Sequence, residues 1–138
     1  MDFNSKPGRA AKRLLDSEYV IWLTTVGSNL TPQPRPVWFI WDGDAVLIFS
    51  QPGGAKLKHI RQHPRVSLHF NTDREGGENI LILTGSAALP PDAPPASAVA
   101  AYVKKYKKGM ADLDMTPESF SKSYSVAIRI VPTHLRGG

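Results

Sequence analysis

The stretch "FSQPGGAKLKHIRQHPRV", residues 49–66, joins a strand end, a tight turn, a short helix and the start of another strand. An apolar run ends at Ser50, and a Gln-Pro-Gly-Gly turn follows it. Leu57 and Ile60 then recur at helical spacing, and Pro64 ends the helix. The basic and imidazole side chains gathered around this helix are Lys56, Lys58, His59, Arg61, His63 and Arg65.

The turn and the helix start together have the features of an anion site. The first amides of a helix lack intrahelical partners and lie at the positive end of the helix dipole, where anions bind readily. Gly53 and Gly54 allow a ligand to approach the backbone closely. Ser50 offers a hydroxyl, and Lys56 and Lys58 supply positive charge. The stretch can therefore hold a phosphate group.

Two common nucleotide-binding motifs are excluded. The sequence QPGGAKLK lacks the GxxxxGK[ST] spacing of a Walker A loop, and GxGxxG does not occur in the chain. P-loop nucleotide hydrolysis and Rossmann-type dinucleotide binding are therefore not expected.

Other interpretations of the basic stretch stay open. The helix can be a solvated surface whose lysines serve solubility. His59 and His63 could hold zinc, but that helix has no acid and no HExxH pattern, so we expect no metal. The net charge of +5 also suits nucleic acid. However, Trp38, Phe39 and Trp41 lie in an apolar run typical of a core strand, and we expect neither nucleic acid nor a membrane as partner.

Length and composition limit the possible domain number, chemistry and location of the protein. The 138 residues predict a single domain, 1–138. The absence of cysteine excludes disulfides, a thiolate nucleophile and cysteine-ligated metals. The N-terminal residues are charged throughout, and the apolar runs are too short to span a bilayer, so a cytoplasmic protein is expected.

The residues before the opening stretch predict two hairpins. β-Branched and aromatic residues dominate 19–26, and the chain returns after a turn through 32–41. Alternating prolines place the first half of this second run at a sheet edge. The Asp-Gly-Asp turn at 42–44 predicts a tight antiparallel hairpin to the strand that ends at Phe49.

The residues after the opening stretch predict three more strands. Apolar and polar residues alternate along 65–73, and 79–89 is a further apolar run in which Gly85 predicts a bulge. Residues 124–132 form the last predicted strand, and the tail 133–138 is expected to be a loop.

The predicted helices are short and peripheral. Residues 8–17 are amphipathic, and 116–120 begin like a capped helix. Asp92 is expected to cap a longer helix that begins at Pro94 or Pro95. The apolar face of that helix carries Val99, Tyr102, Val103 and Tyr106.

Strands therefore dominate the chain, and they neither alternate with helices nor repeat. About six strands with few helices predict a mainly β, α+β fold, and closure into an antiparallel barrel would remove exposed sheet edges.

Several motifs in this order resemble a known family. They are "PVWF" at 36–39, the Asp-Gly-Asp hairpin at 42–44, and Ser50 followed by Lys56, Ile60 and the Pro-Arg-Val of 64–66. The chain resembles the pyridoxamine 5′-phosphate oxidase-like proteins, and within them the actinobacterial flavin/deazaflavin oxidoreductases that use coenzyme F420. The resemblance implies a split antiparallel β-barrel of the FMN-binding type.

The resemblance also implies a function. It implies a homodimer with cofactor sites in the clefts between subunits, and an enzyme that transfers a hydride from reduced F420 to an electron-poor conjugated small molecule. The alternatives are an FMN-binding oxidoreductase of the same fold and a non-catalytic protein that binds F420 or another anionic ligand. The arginine-histidine signature of true pyridoxamine phosphate oxidases is not found, which disfavours vitamin B6 oxidation.

The cofactor-binding residues follow from the same resemblance. Family members hold the cofactor phosphate with the segment after the third strand, and the ring system lies along the second strand. No catalytic residue is assigned: Tyr19, His69, Tyr124 and Arg129 could approach the cleft, but packing is the more typical role for strand residues. The predicted cofactor-binding residues are Gln33, Pro34, Arg35, Pro36, Val37, Trp38, Phe49, Ser50, Gln51, Ala55, Lys56, Leu57 and Lys58.

Overall fold

Residues 2–137 are described by a computed structural model, and their strands join in one antiparallel sheet. The mainly β prediction is confirmed. The sheet has seven strands and not six, because the predicted run 32–41 is divided at Trp38 and Phe39. The strands are β1 (Ile21–Val26), β2 (Pro32–Val37), β3 (Ile40–Trp41), β4 (Val46–Ser50), β5 (Arg65–His69), β6 (Leu81–Ala88) and β7 (Val126–Gly137), in the spatial order β2-β1-β5-β6-β7-β4-β3.

The helices lie outside the strand ladder. Thr116 caps the fourth helix, as predicted, and forms a capping box with Ser119. Asp92 does not cap a helix, so that prediction was wrong. Pro95 disfavours helical geometry at Pro94, and regular helix begins later. The helices are α1 (Lys6–Ser17), α2 (Ala55–Gln62), α3 (Ala100–Asp112) and α4 (Pro117–Ser123), with a 3₁₀ turn at Ala96–Ala98.

The Asp-Gly-Asp hairpin forms as predicted. The Asp42 carboxylate accepts hydrogen bonds from the amides of Asp44 (2.9 Å) and Ala45 (2.8 Å). Gly43 has a φ of 102°, a conformation that favours glycine. The turn joins β3 to β4 in antiparallel register.

The C-terminal tail is not a loop, which corrects the prediction. Residues 133–137 continue β7, and His134 and Leu135 pair with Thr84 and Leu83 of β6. This pairing depends on a strand about 50 residues away in the sequence, so local composition could not indicate it. The predicted irregularity at Gly85 is confirmed, because the β6–β7 register shifts there.

β2 forms one edge of the sheet, as its prolines predicted. Pro34 lies opposite Thr24, whereas Gln33 and Arg35 lie opposite Thr25 and Leu23. Residues directly opposite one another share a face of the sheet. Gln33 and Arg35 therefore share the face of the buried Thr25 and Leu23, and Pro34 lies on the other face.

Apolar side chains cover both faces of the sheet around β4. Val46 and Ile48 belong to the main core with α1, α2 and the central strands. Phe49 belongs instead to a second cluster formed with α3 and α4. No helix within residues 2–137 has the length and apolar character needed to cross a membrane.

Candidate functional site

A cavity of about 470 Å³ opens where β2, the start of α2 and the two C-terminal helices meet. Two groups of side chains line it. The basic wall consists of Thr25, Gln33, Arg35, Ser50, Gln51, Gly54, Ala55, Lys56 and His59. The aromatic wall consists of Trp38, Phe49, Tyr102, Leu113, Phe120 and Tyr124, and Pro36 and Val37 complete the lining.

The structure brings together most of the residues predicted to bind a cofactor. Those that do not line the cavity are Pro34, Leu57 and Lys58. Pro34 lies on the opposite face of β2 from Arg35. Leu57 is 1% exposed and belongs to the main core. Lys58 is exposed and lies two residues, roughly 200° of helix rotation, beyond Lys56, so the two lysines cannot share a face.

Lys56 and Arg35 carry the positive charge of the basic wall. Burial lowers the pKa of Lys56, and the neighbouring Arg35 charge lowers it further. None of the described residues that line the cavity is Asp or Glu. The two ion pairs found in residues 2–137, Lys12–Asp16 and Arg129–Asp42, lie outside the cavity. A partly buried lysine beside an arginine, with no acid among the described lining residues, favours an anionic ligand.

Backbone and hydroxyl groups lie beside these cations. The buried Ser50 hydroxyl donates to the Gln51 carbonyl (3.0 Å), which fixes its position at the end of β4. A Cβ on Gly54 would lie 3.2 Å from Ser50 Oγ and 3.7 Å from Lys56 Nζ. Gly54 precedes α2, and no side chain caps this helix start. The wall therefore combines charge, a hydroxyl and an uncapped helix N-terminus.

His59 is held by a strand of the sheet. Its Nδ1 lies 2.9 Å from the Thr25 hydroxyl, and its Nε2 lies 3.0 Å from the position of a Cβ on Gly27. Thr25 is buried opposite Gln33, so this bond connects α2 to the β1–β2 hairpin. The contact fixes the orientation of α2 against the cavity.

The aromatic wall is built from rings that contact one another. Trp38 stacks near Phe120, with ring centroids 5.7 Å apart and planes 19° apart, and Phe120 stacks on Tyr124 at 4.4 Å. Tyr102 packs against Phe49 edge-to-face at 4.9 Å. Because these rings support one another, they form a rigid apolar wall beside the basic wall.

Helix α3 holds the backbone beside Trp38. Lys105 donates a hydrogen bond to the Phe39 carbonyl (3.0 Å), and its Nζ lies 3.9 Å from the centroid of the Phe39 ring. Burial lowers the pKa of Lys105 to about 8. The Tyr106 hydroxyl accepts from the Phe39 amide at 2.8 Å, and the Tyr106 ring stacks on Trp38 at 4.6 Å. These contacts fix Trp38 at the junction of the two walls.

Several cavity residues were absent from the predicted site. Thr25 and His59 could have been found, because Thr25 pairs with Gln33 in the predicted hairpin and His59 lies one turn beyond Lys56. Tyr102 and Phe120 carry no such signal, because their helical positions predict only burial. Leu113 follows the end of α3 and carries no local signal either.

The polar residues considered near the cleft separate in the structure. Tyr124 lines the cavity. Tyr19 is 62% exposed, His69 stacks on Trp22, and Arg129 lies 3.6 Å from Asp42, all outside the cavity. In the part of the chain that the structure describes, no three His, Asp or Glu side chains are grouped to hold a metal.

The cavity suits a ligand with a phosphate and a planar ring system. The basic wall supplies Lys56, Arg35 and the Gly54 helix start, and the aromatic wall supplies apolar ring contacts. The hydroxyl of Tyr102 is buried and has no hydrogen-bond partner in the described residues. A flavin or deazaflavin cofactor carries a phosphate and a planar ring system, so the residues present fit such a cofactor.

Solved structures with similar folds include proteins of different kinds. An F420 reductase is 23% identical, with 91% of this chain and 94% of that chain covered and a TM-score of 0.64. A haem storage protein from Vibrio cholerae is 12% identical over 96% and 95%, with a TM-score of 0.68. An FAD-binding protein from Mesorhizobium loti is 18% identical over 91% and 87%, with a TM-score of 0.58. At these identities the likeness shows the fold alone.

The sequence itself identifies the family. No curated protein matches the chain. The profile of the pyridoxamine 5′-phosphate oxidase family, however, matches residues 8–137, nearly the whole chain. This match agrees with the antiparallel sheet and confirms the predicted split β-barrel. The chain therefore belongs to the pyridoxamine 5′-phosphate oxidase family.

Proposed function

We propose that the protein is an F420-dependent oxidoreductase. The observation that carries the proposal is the cavity itself, in which Lys56 and Arg35 face the same space as a continuous wall of aromatic rings. The family and a fold shared with an F420 reductase support a flavin-type cofactor.

Different residues of the chain would bind the phosphate and the ring system of the cofactor. Lys56, Arg35 and the amides at the Gly54 helix start would hold the phosphate. The ring system would lie along β2, from Gln33 to Trp38. The chemistry that the cofactor supplies when bound is donation of a hydride to an electron-poor conjugated carbon, with a proton from solvent completing the reduction.

The remaining contribution of the protein is alignment and exclusion of water. The aromatic wall offers no carboxylate or imidazole as general acid. Hydride transfer depends mainly on the distance and orientation of donor and acceptor, so a rigid wall is sufficient. Trp38 is held firmly in that wall, because Tyr106 and Phe120 stack near it.

The experiment that tests the proposal is a parallel titration of the purified protein with F420 and with FMN. Tryptophan fluorescence reports binding, because Trp38 lines the cavity. Micromolar or tighter binding of F420, in preference to FMN, is expected. Turnover is then measured with reduced F420 and conjugated carbonyl acceptors. Failure to bind F420 at micromolar concentration would remove the proposal.

An FMN-dependent oxidoreductase is the second candidate, because an FAD-binding protein shares the fold and the basic wall suits any cofactor phosphate. Preferential FMN binding and a yellow preparation would establish it. Tight F420 binding without turnover of any acceptor would indicate a non-catalytic binding protein instead.

We further propose that the protein acts as a homodimer, with the cofactor sites between subunits. Residues 32–36 of β2 are exposed, and Leu113 is 55% exposed. One side of the cavity is therefore open. Light scattering is expected to give twice the mass of the 15.1 kDa chain. A monomer that still binds the cofactor would contradict this arrangement.

A further inference from the structure

Helix α3 contains a glycine at a position where helix formation alone favours another residue. Gly109 lies inside α3, which runs from Ala100 to Asp112. A glycine in a helix interior destabilises the helix relative to alanine. The backbone does not require a glycine there, because the glycines with positive φ in residues 2–137 are Gly43 and Gly76. The reason for Gly109 must therefore lie in what surrounds it.

The space beside Gly109 is occupied by the indole ring of Trp38. A Cβ on Gly109 would lie 3.0 Å from both Cη2 and Cζ2 of Trp38, and 4.0 Å from Cε2 of the same ring. Carbon atoms in favourable contact lie about 3.5–4.0 Å apart. Even the methyl group of an alanine at this position would therefore push the indole ring away from α3.

Two other rings hold Trp38 in its present position. Tyr106, which shares a face of α3 with Gly109, stacks on Trp38 with centroids 4.6 Å apart and planes 9° apart. Phe120 of α4 stacks near it at 5.7 Å, with planes 19° apart. The Tyr106 hydroxyl accepts a hydrogen bond from the amide of Phe39 (2.8 Å), the residue after Trp38. A shift of the indole ring would disturb these contacts.

The position of the Trp38 ring also affects the cavity. Gly109 does not line the cavity, but the ring that it contacts does. Trp38 follows the last residue of β2, Val37, which is also part of the lining. How closely Trp38 packs against α3 therefore affects the shape of the 470 Å³ cavity beside β2.

We propose that Gly109 is a positioning residue of the cavity, which allows Trp38 to pack closely against α3 and thereby sets the surface against which the cofactor ring system binds. This inference rests on the proposed function, because it concerns the ring that would lie along β2. A larger side chain at position 109 has two opposite effects. It stabilises α3 as a helix, and it overpacks the contact with Trp38.

The test compares Gly109→Ala in two backgrounds, wild type and Trp38→Phe. Trp38→Phe is the matched background, because a phenyl ring does not reach the positions of Cη2 and Cζ2 that Gly109 contacts. Urea unfolding measures the stability of all four proteins, and near-ultraviolet circular dichroism reports the packing of their aromatic rings. Isothermal titration calorimetry measures the binding of F420 and, separately, of FMN.

The two backgrounds are expected to respond with opposite signs. Gly109→Ala should lower the urea midpoint of the wild-type protein, because overpacking outweighs the gain in helix propensity. In the Trp38→Phe background it should raise the midpoint, because only the helix propensity changes. Cofactor binding should weaken about fivefold or more in the wild-type background, and by less than about twofold in the Trp38→Phe background. The near-ultraviolet spectrum should change only where Trp38 is present.

Three results would overturn the inference. A higher urea midpoint in both backgrounds would show that position 109 is not packed tightly against Trp38. Equal cofactor affinities of wild type and Gly109→Ala would show that the contact does not affect the ligand. If Gly109→Ala does not fold, the double variant must fold, and its failure to do so would contradict the role of Trp38.

The two cofactors separate this inference from the proposed function. A protein that binds FMN and not F420 would contradict F420 dependence, whereas the loss caused by Gly109→Ala would still be measured with FMN. A wild-type protein that binds neither cofactor would contradict both proposals.

Discussion

The two walls of the cavity differ in how they are assembled. The basic wall comes mostly from two short segments, 33–35 and 50–59, which β1 and α2 hold together through the bond between Thr25 and His59. The aromatic wall joins residues from five separate parts of the chain, brought together by the packing of α3 and α4 on β4. The difference shows that short segments of sequence can supply the charged side of a binding site. The apolar side, in contrast, requires the packing of the complete fold.

Charge reversal in the basic wall gives the largest expected effect. Lys56→Glu replaces a charge-assisted phosphate contact by repulsion, so cofactor binding is expected to weaken by about 2 kcal/mol or more, roughly 30-fold. The fold should be kept, because Lys56 is only partly buried. Fluorescence titration measures the affinity, and circular dichroism checks the fold.

Lys58→Glu is the matched control for this change. Lys58 lies on the same helix and undergoes the same change of charge, but it is exposed outside the cavity. Its substitution is expected to change affinity by no more than about threefold, the size of a screened surface effect. Equal losses in the two variants would show that only the overall charge of α2 matters.

The two tyrosines of α3 test the difference between a hydroxyl with hydrogen-bond partners and one without. Tyr106→Phe leaves the Phe39 amide without its partner in a buried position, and the free energy of unfolding should fall by about 1–3 kcal/mol. Tyr102→Phe removes a hydroxyl without a partner, so its free energy of unfolding should be unchanged or slightly higher. Urea unfolding measures both, and equal losses would contradict the assignment.

The lowered pKa of Lys56 predicts a smaller, pH-dependent effect. As the pH rises from 7.5 toward the ordinary lysine pKa of 10.5, Lys56 loses its proton earlier than an ordinary lysine. Cofactor affinity should therefore fall severalfold over this range, because the phosphate loses a cationic partner. Lys56→Met should flatten the slope, measured by titration at several pH values. If affinity fell equally with pH in the wild type and in Lys56→Met, the titration of Lys56 would not be the cause of the pH dependence.

The stability of the free protein should change in the opposite direction. Between the lowered pKa of Lys56 and 10.5, the unfolded chain binds more protons than the folded one, so the free energy of unfolding contributed by this group rises with pH. Urea unfolding of wild type and Lys56→Met across this range separates the contribution from other titrations.

Sequence reasoning located the basic wall because its signals are local. The Gln-Pro-Gly-Gly turn, the lysine beyond it and the prolines of β2 each have a direct structural consequence. Within α2, the sequence did not separate the residues that line the cavity from those that do not. Leu57 and Lys58 were included with Lys56, although 100° of rotation per residue sends the three side chains in different directions.

The aromatic wall could not be predicted in the same way. The spacing of Tyr102 and Tyr106 predicts that both are buried, and it does not reveal that only one hydroxyl finds a backbone partner. That distinction depends on Phe39, more than 60 residues away, as the Tyr106 bond shows. The tail of β7 was missed for the same reason, since its partner is β6.

A crystal structure of the protein with bound F420 tests the central claim most directly, which is that one cavity joins a phosphate-binding wall to a ring-binding wall. The account predicts phosphate oxygens within hydrogen-bond distance of Lys56 Nζ and the Arg35 guanidinium, and the ring system against Trp38. A phosphate bound elsewhere on α2, for example at Lys58 and Arg61, with the ring outside the aromatic wall, would contradict it.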